Sequence, residues 1–102
     1  MFDSQRDYLI VWNRYTRLLN AASAAYRDTV RLDPRNASAF NGLGWTLFDL
    51  GRLDESAAAH RAVIEIDPVN TDAHHALGVI LVKQGVLDEA EASFRRAISR
   101  DR

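Results

Sequence analysis

The side chains best suited to metal binding or proton transfer are three histidines, His60, His74 and His75. Neighbouring residues on a helix point about 100° apart, so His74 and His75 cannot close on one ion together. A metal or pH-sensing site is therefore the lesser reading for this group, and packing the greater. The triplet Gly42-Leu43-Gly44 has a faint likeness to a dinucleotide fingerprint, but no strand precedes it and the third glycine is missing. A close helix–helix contact at Gly44 is the better reading. Serines, histidines and aspartates occur, yet no nucleophile motif frames any of them. Arg95, Arg96, Arg100 and Arg102 lie among Glu89, Glu91 and Asp101 near the end of the chain, where positive charge complements a helix C-terminus. Phe94 is the one aromatic beside it and reads as buried, so this cluster does not point to nucleic acid. No catalytic residue, metal ligand set or cofactor site is expected, and the chain reads as a non-enzyme.

The bulk properties agree. One domain is expected over residues 1–102, with 47% hydrophobic and 26% charged residues and a formal net charge of −1. There is no basic field to gather nucleic acid or an anionic membrane surface. The absence of cysteine removes disulfides, thiolate zinc sites and a cysteine nucleophile at once. The apolar run Tyr8-Leu9-Ile10-Val11-Trp12 is too short to span a bilayer, and Asn13 and Arg14 follow it in place of a cleavage site. A cytoplasmic protein, or a segment of a larger one, is the default.

The elements that would position any site come from an internal period. Pro34 and Pro68 stand 34 residues apart, as do Gly44 and Gly78, and Gly51 and Gly85. The same shift lays Ala39 on Ala73, Leu43 on Leu77, Leu47 on Leu81, Ala58 on Ala92, Arg61 on Arg95 and Ile64 on Ile98. It also lays Leu53-Asp54-Glu55 on Leu87-Asp88-Glu89. Matches gather at apolar and turn positions, as a shared packing scheme requires. Phe40, Leu43, Gly44 and Leu47 follow the i, i+3, i+4, i+7 spacing of one buried helical face. Gly51 and Gly85 are expected to stop the first helix of each copy, and Asp54 and Asp88 to cap the second. Pro68 ends the second helix of the earlier copy. Each copy is thus a helix, a short turn and a helix.

With these residues in place, the sequence resembles the tetratricopeptide repeat family. One copy has Phe40, Leu43-Gly44 and Leu47, then Ser56, His60 and Pro68; the next has His74, Leu77-Gly78 and Leu81, then Ala90 and Phe94. An earlier half-copy has Ala22, Tyr26 and Pro34. The resemblance implies an all-α fold, a right-handed superhelical stack of antiparallel helix hairpins. Its units are a degenerate repeat over 3–36 and repeats over 37–70 and 71–102. Ser56, His60 and His74 put polar groups at positions the family packs, and each costs about 1–3 kcal/mol if left without a hydrogen bond.

Residues 4–32 admit two readings. Asn20 stands where Asp54 and Asp88 stand later, so it could cap a second helix and preserve a hairpin, the favoured expectation. The stripe Tyr8, Trp12, Tyr15, Leu19, Ala22, Tyr26 and Val30 has no glycine or proline to interrupt it, however. One long helix able to pair with another chain is the alternative.

In this family the first helices of successive repeats line a concave groove. Spacing assigns to it Ser38, Asn41, Trp45 and Phe48, then Asp72, His75, Val79 and Val82, with Asp49 and Lys83 beside them. Val11 and Tyr15 join them if the first copy is a hairpin. This groove is apolar in its middle and polar at its edge, suited to an amphipathic helix or an extended apolar peptide. Trp45 and Phe48 are the expected anchors. Some relatives clamp a chaperone's terminal carboxylate with cationic and amide side chains; the matching positions here carry Asp7, Val11, Gly42, Asp72 and Ala76, which argues against that ligand. The second expectation is a self-assembly module, a homodimer through Phe94, Ala97 and Ile98 at the last helix or through the first helix. A regulatory segment of a larger protein is the third.

Overall fold

The computed structural model describes residues 4–99. Five helices follow in order: α1 (Ser4–Leu32), α2 (Ala37–Asp49), α3 (Leu53–Ile66), α4 (Thr71–Gln84) and α5 (Leu87–Ser99). No strand occurs among the described residues. Each helix packs on the next, so α2/α3 and α4/α5 form antiparallel hairpins stacked side by side, with α1 laid against α2. No helix among the described residues is long and apolar enough to cross a membrane.

The hairpin turns are built as the glycine period requires. Gly51 and Gly85 both have φ of +79°, a left-handed conformation in which a side chain is strained. In each, the following residue reaches back to the preceding helix: the Arg52 N–H donates to the Leu47 carbonyl at 2.9 Å and the Val86 N–H to the Leu81 carbonyl at 2.9 Å. These bonds satisfy carbonyls that the helix end would leave without a partner.

The helix starts differ from expectation. Asp54 and Asp88 do not cap; they sit in the first turns of α3 and α5, and the residue preceding α3, Arg52, makes no side-chain cap bond. Their charge acts on the positive helix end instead. The side-chain caps belong to the other helices of the period. Asn36 and Asn70 each accept from a backbone N–H, of Ala39 and Ala73 respectively, at 2.9 Å.

The larger correction concerns residues 4–32, where the favoured hairpin gives way to one continuous helix. Two features explain it. At the turn position of the later copies stands Arg17, for which a left-handed conformation costs roughly 1–2 kcal/mol. In the later hairpins, moreover, a ring from the second helix lies flat on a glycine of the first. A Cβ on Gly44 would lie 2.5 Å from the His60 ring, and one on Gly78 would lie 2.7 Å from the Phe94 ring. The equivalent of that glycine in the first copy is Ile10, facing Tyr26 by the same period. Its side chain forbids the approach. Tyr26 turns to α2 instead and covers Gly42.

The core has two parts. Leu43, Leu47 and Ala59 are buried where α1, α2 and α3 meet, with Tyr26 packed on them. Ala57, Leu77, Ile80, Leu81 and Ala90 are buried between the hairpins, with Phe48, Leu53, Ile64 and Phe94 against them. Two ion pairs repeat with the period across the stack: Arg27–Glu55 at 2.6 Å and Arg61–Glu89 at 3.1 Å. Both are exposed, so they steer register more than they stabilise.

Candidate partner-binding groove

The groove grows from the faces of α2 and α4 that their hairpin partners leave free. Trp45 is half-buried, with its ring edge-on to Phe48 at 5.4 Å and to His60 at 5.2 Å. Phe48 is half-buried because it packs on the inter-hairpin core. The two expected anchors therefore touch, each with one part in the core and one part open. On α4, Val79 is half-buried, and Val82 is 49% exposed.

Polar groups stand at both ends. At one end Asp49 is exposed and accepts a hydrogen bond from the Tyr15 hydroxyl at 3.3 Å; Lys83 is exposed at the equivalent position on α4. The Asp49 charge, then burial and that hydrogen bond, hold the Tyr15 phenol above its ordinary value. At the other end a cavity of about 280 Å³ opens between the starts of α2 and α4, lined by Ala37, Ser38, Asn41, Val63, Asn70 and Asp72. Val63 and Asn70 were not read as groove residues from the sequence. Asn70 could have been found from its equivalence to Asn36, whereas Val63 enters from α3 and only packing puts it there. His75 is exposed and leans on Phe94 at 5.7 Å. Val11 does not join the groove as a hairpin would place it; it is exposed on α1. Tyr15 reaches the groove's edge through Asp49 alone.

The histidines divide as packing demands. His60 is fully buried, and neither ring nitrogen has a hydrogen-bond partner. Burial lowers its pKa to about 4, so the ring is neutral near pH 7 and occupies the place that Phe94 takes in the next copy. His74 is also buried, but its Nε2 lies 2.9 Å from the Pro68 carbonyl, which can only accept, so Nε2 carries the proton. Ser56 donates to the Gly44 carbonyl at 2.6 Å. Among the described residues no three metal-binding side chains converge. Of the basic cluster, Arg95 pairs with Glu91 at 2.6 Å and Arg96 is exposed; Arg100 and Arg102 lie outside the described residues. Of the end surface, Ala97 is buried, Phe94 is half-buried on Gly78, and Ile98 is 67% exposed.

Comparison with known proteins places this geometry. Solved structures described as MamA match at a TM-score of 0.81 with 26% identity, over 87% of this chain and 52% of theirs. A second MamA structure matches at 0.78 with 26% identity, over 81% and 45%. A MamA RS-1 double mutant matches at 0.80 with 20% identity, over 90% and 51%. The chain thus spans about half the length of these solved chains. No match is found among curated protein sequences. Tetratricopeptide repeat profiles match residues 14–71 and, separately, residues 47–102. Such repeats are generally non-catalytic and mediate contact between proteins, and with the solved neighbours they support a protein-interaction scaffold in general terms. The profile matches each cover more than half of the sequence, and the chain belongs to the tetratricopeptide repeat family.

Proposed function

We propose that the face shared by α2 and α4 holds an apolar or amphipathic helical segment of a partner protein. The observation that supports this reading is the half-buried Trp45–Phe48 ring pair on α2, with Val79 half-buried and Val82 49% exposed at the following first-helix position on α4. Aromatic anchors that are already held on one side lose little freedom on binding, which favours them as sources of affinity. The straightness of α1 adds support. A first-copy hairpin would set its first helix beside α2, whereas the continuous helix leaves that side uncovered.

Selection from a displayed library of amphipathic helical peptides supplies probes, and titration calorimetry measures them against variants of the full chain. Trp45→Ala weakens the selected peptides at least about tenfold, the equivalent of 1.4 kcal/mol. Because Trp45 also packs on His60, Val82→Glu provides a second variant at an exposed site, and it weakens binding with helical content unchanged. Binding that survives Val82→Glu but is lost on changing Arg61, on the opposite helix of the hairpin, would overturn the assignment.

A further inference from the structure

We infer that the N-terminal half of α1 pairs antiparallel with the same segment of a second copy of this chain, about a twofold axis near Leu9 and Ile10. The pairing is independent of the groove reading.

The first observation is an apolar surface too large to leave wet. Tyr8, Leu9, Ile10, Val11, Trp12, Tyr15 and Leu18 are each between 43% and 69% exposed. Five of them are consecutive, so the helix is apolar around its whole circumference there, the signature of a segment covered by other protein. Taking about 150–250 Å² for a whole aromatic side chain and somewhat less for an aliphatic one, their exposed parts amount to on the order of 700 Å². That exceeds the roughly 300–600 Å² of the largest patch on a typical monomer. Tyr8, Val11, Trp12, Tyr15 and Leu18, on the seam and its flank, carry on the order of 500 Å² of it, near the roughly 600 Å² per partner at the low end of stable interfaces. Tyr8 stacks on Trp12 at 6.5 Å and Trp12 tilts on Tyr15 at 6.1 Å, a ladder of the residue types that anchor interfaces.

The second observation is where this surface lies. α2 runs back along α1, with Tyr26 over Gly42 and the Tyr15 hydroxyl at Asp49, the last residue of α2. Residues before Tyr15 therefore overhang the end of α2. At about 1.5 Å per residue the overhang is roughly 16 Å long.

The third observation selects a second copy as the occupant. Tyr8, Val11, Tyr15 and Leu18 follow the alternating three- and four-residue spacing of a helix-pairing seam. Asp7 and Arg14 lie one heptad apart on the same flank of that seam. Antiparallel pairing that seats Tyr8 opposite Val11 of the second copy brings Asp7 of each helix to Arg14 of the other. Parallel pairing would set Asp7 and Arg14 against Trp12 and Leu19 of the other helix, with no charge partner for either. Such exposed pairs add little stability, but they choose orientation and register. The same register lays one overhang along the other and sends the two stacks to opposite ends, so they do not collide.

The full chain tests this by sedimentation velocity up to about 100 µM, a concentration that populates a dimer of micromolar affinity. The wild type sediments as a dimer at the upper end, and Val11→Glu weakens association at least about tenfold with an unchanged circular dichroism spectrum. Asp7→Arg and Arg14→Asp each weaken it, and the double swap restores it. Because the chain has no cysteine, Tyr8→Cys and Val11→Cys report orientation cleanly. Oxidation links the two variants to each other when mixed, in preference to either one to itself. A wild type that stays monomeric overturns the pairing, as do self-linking of each single variant or a failed double swap. Dissociation by Val82→Glu overturns it too, since that result puts α1 into the groove of another copy.

Discussion

The first copy and the two later ones share a 34-residue plan but close differently. In α2/α3 and α4/α5 the chain reverses at a glycine with φ of +79°, and a ring from the returning helix settles on a second glycine. In α1 both glycines are replaced, by Arg17 and Ile10, and the chain runs straight for 29 residues. The second half of α1 still behaves as the period prescribes. Tyr26 packs on the core, Arg27 pairs with Glu55 as Arg61 does with Glu89, and the helix ends just before Pro34. Only the first half has left its place. A repeat thus needs two separate permissions to fold back: a turn that accepts left-handed backbone, and a gap beside the ring of its second helix.

The comparison can be broken most strongly at the ring contact. Gly44→Ala sets a methyl against a ring that is sealed on every side, and urea unfolding should record a loss of about 2–3 kcal/mol. Ile10→Ala, at the equivalent position of α1, should change stability by less than about 0.5 kcal/mol, because Ile10 is 45% exposed.

The ring itself gives the next effect. His60 has its folded pKa lowered to about 4 from an ordinary 6.5, so between these values the unfolded chain binds the proton that the folded chain refuses. Stability therefore holds above pH 6.5 and falls as pH drops toward 4, by about 3 kcal/mol on the linkage relation. His60→Phe, which copies Phe94 of the next hairpin, should flatten that acid limb in thermal melts taken across this range. An unchanged limb would place the acid sensitivity in the carboxylates.

The smallest effect sharpens the turn. Gly85→Ala should cost about 1 kcal/mol by forcing a Cβ into left-handed backbone, although nothing crowds the site. Arg17→Ala in α1 should be neutral or slightly stabilising, since alanine is the better helix former and the position is helical and exposed. Destabilisation of both variants alike would mean that the chain near Arg17 turns in solution.

Much of this was legible in the residues. The 34-residue period, the helices on either side of Gly51 and Gly85, and the close contact at Gly44 all followed from residue type and spacing. The misreadings share a cause. Asn20 offers a cap by equivalence with Asp54 and Asp88, yet neither of those caps its helix, while Asn36 and Asn70 do. Equivalence of position does not override the local demand for a turn, which Arg17 does not meet. In the groove, Trp45 and Phe48 were recognisable as a pair three residues apart on one helical face. That Trp45 also rests on His60, and that Val63 floors the polar end, depends on a third helix whose approach no single helical face encodes.

What the sequence by itself determined is the set of local permissions: where backbone can turn, where a helix can start, and which faces are apolar. These depend on each residue and its near neighbours, because propensity, capping and left-handed strain act over a few positions. Only the tertiary structure decided which apolar faces were used. Leu19, Tyr26 and Val30 are half-buried, while Tyr8 and Val11 remain exposed, although all lie on the same unbroken helix. Burial requires a neighbour of matching length, and α2 stops at Asp49, short of the far end of α1.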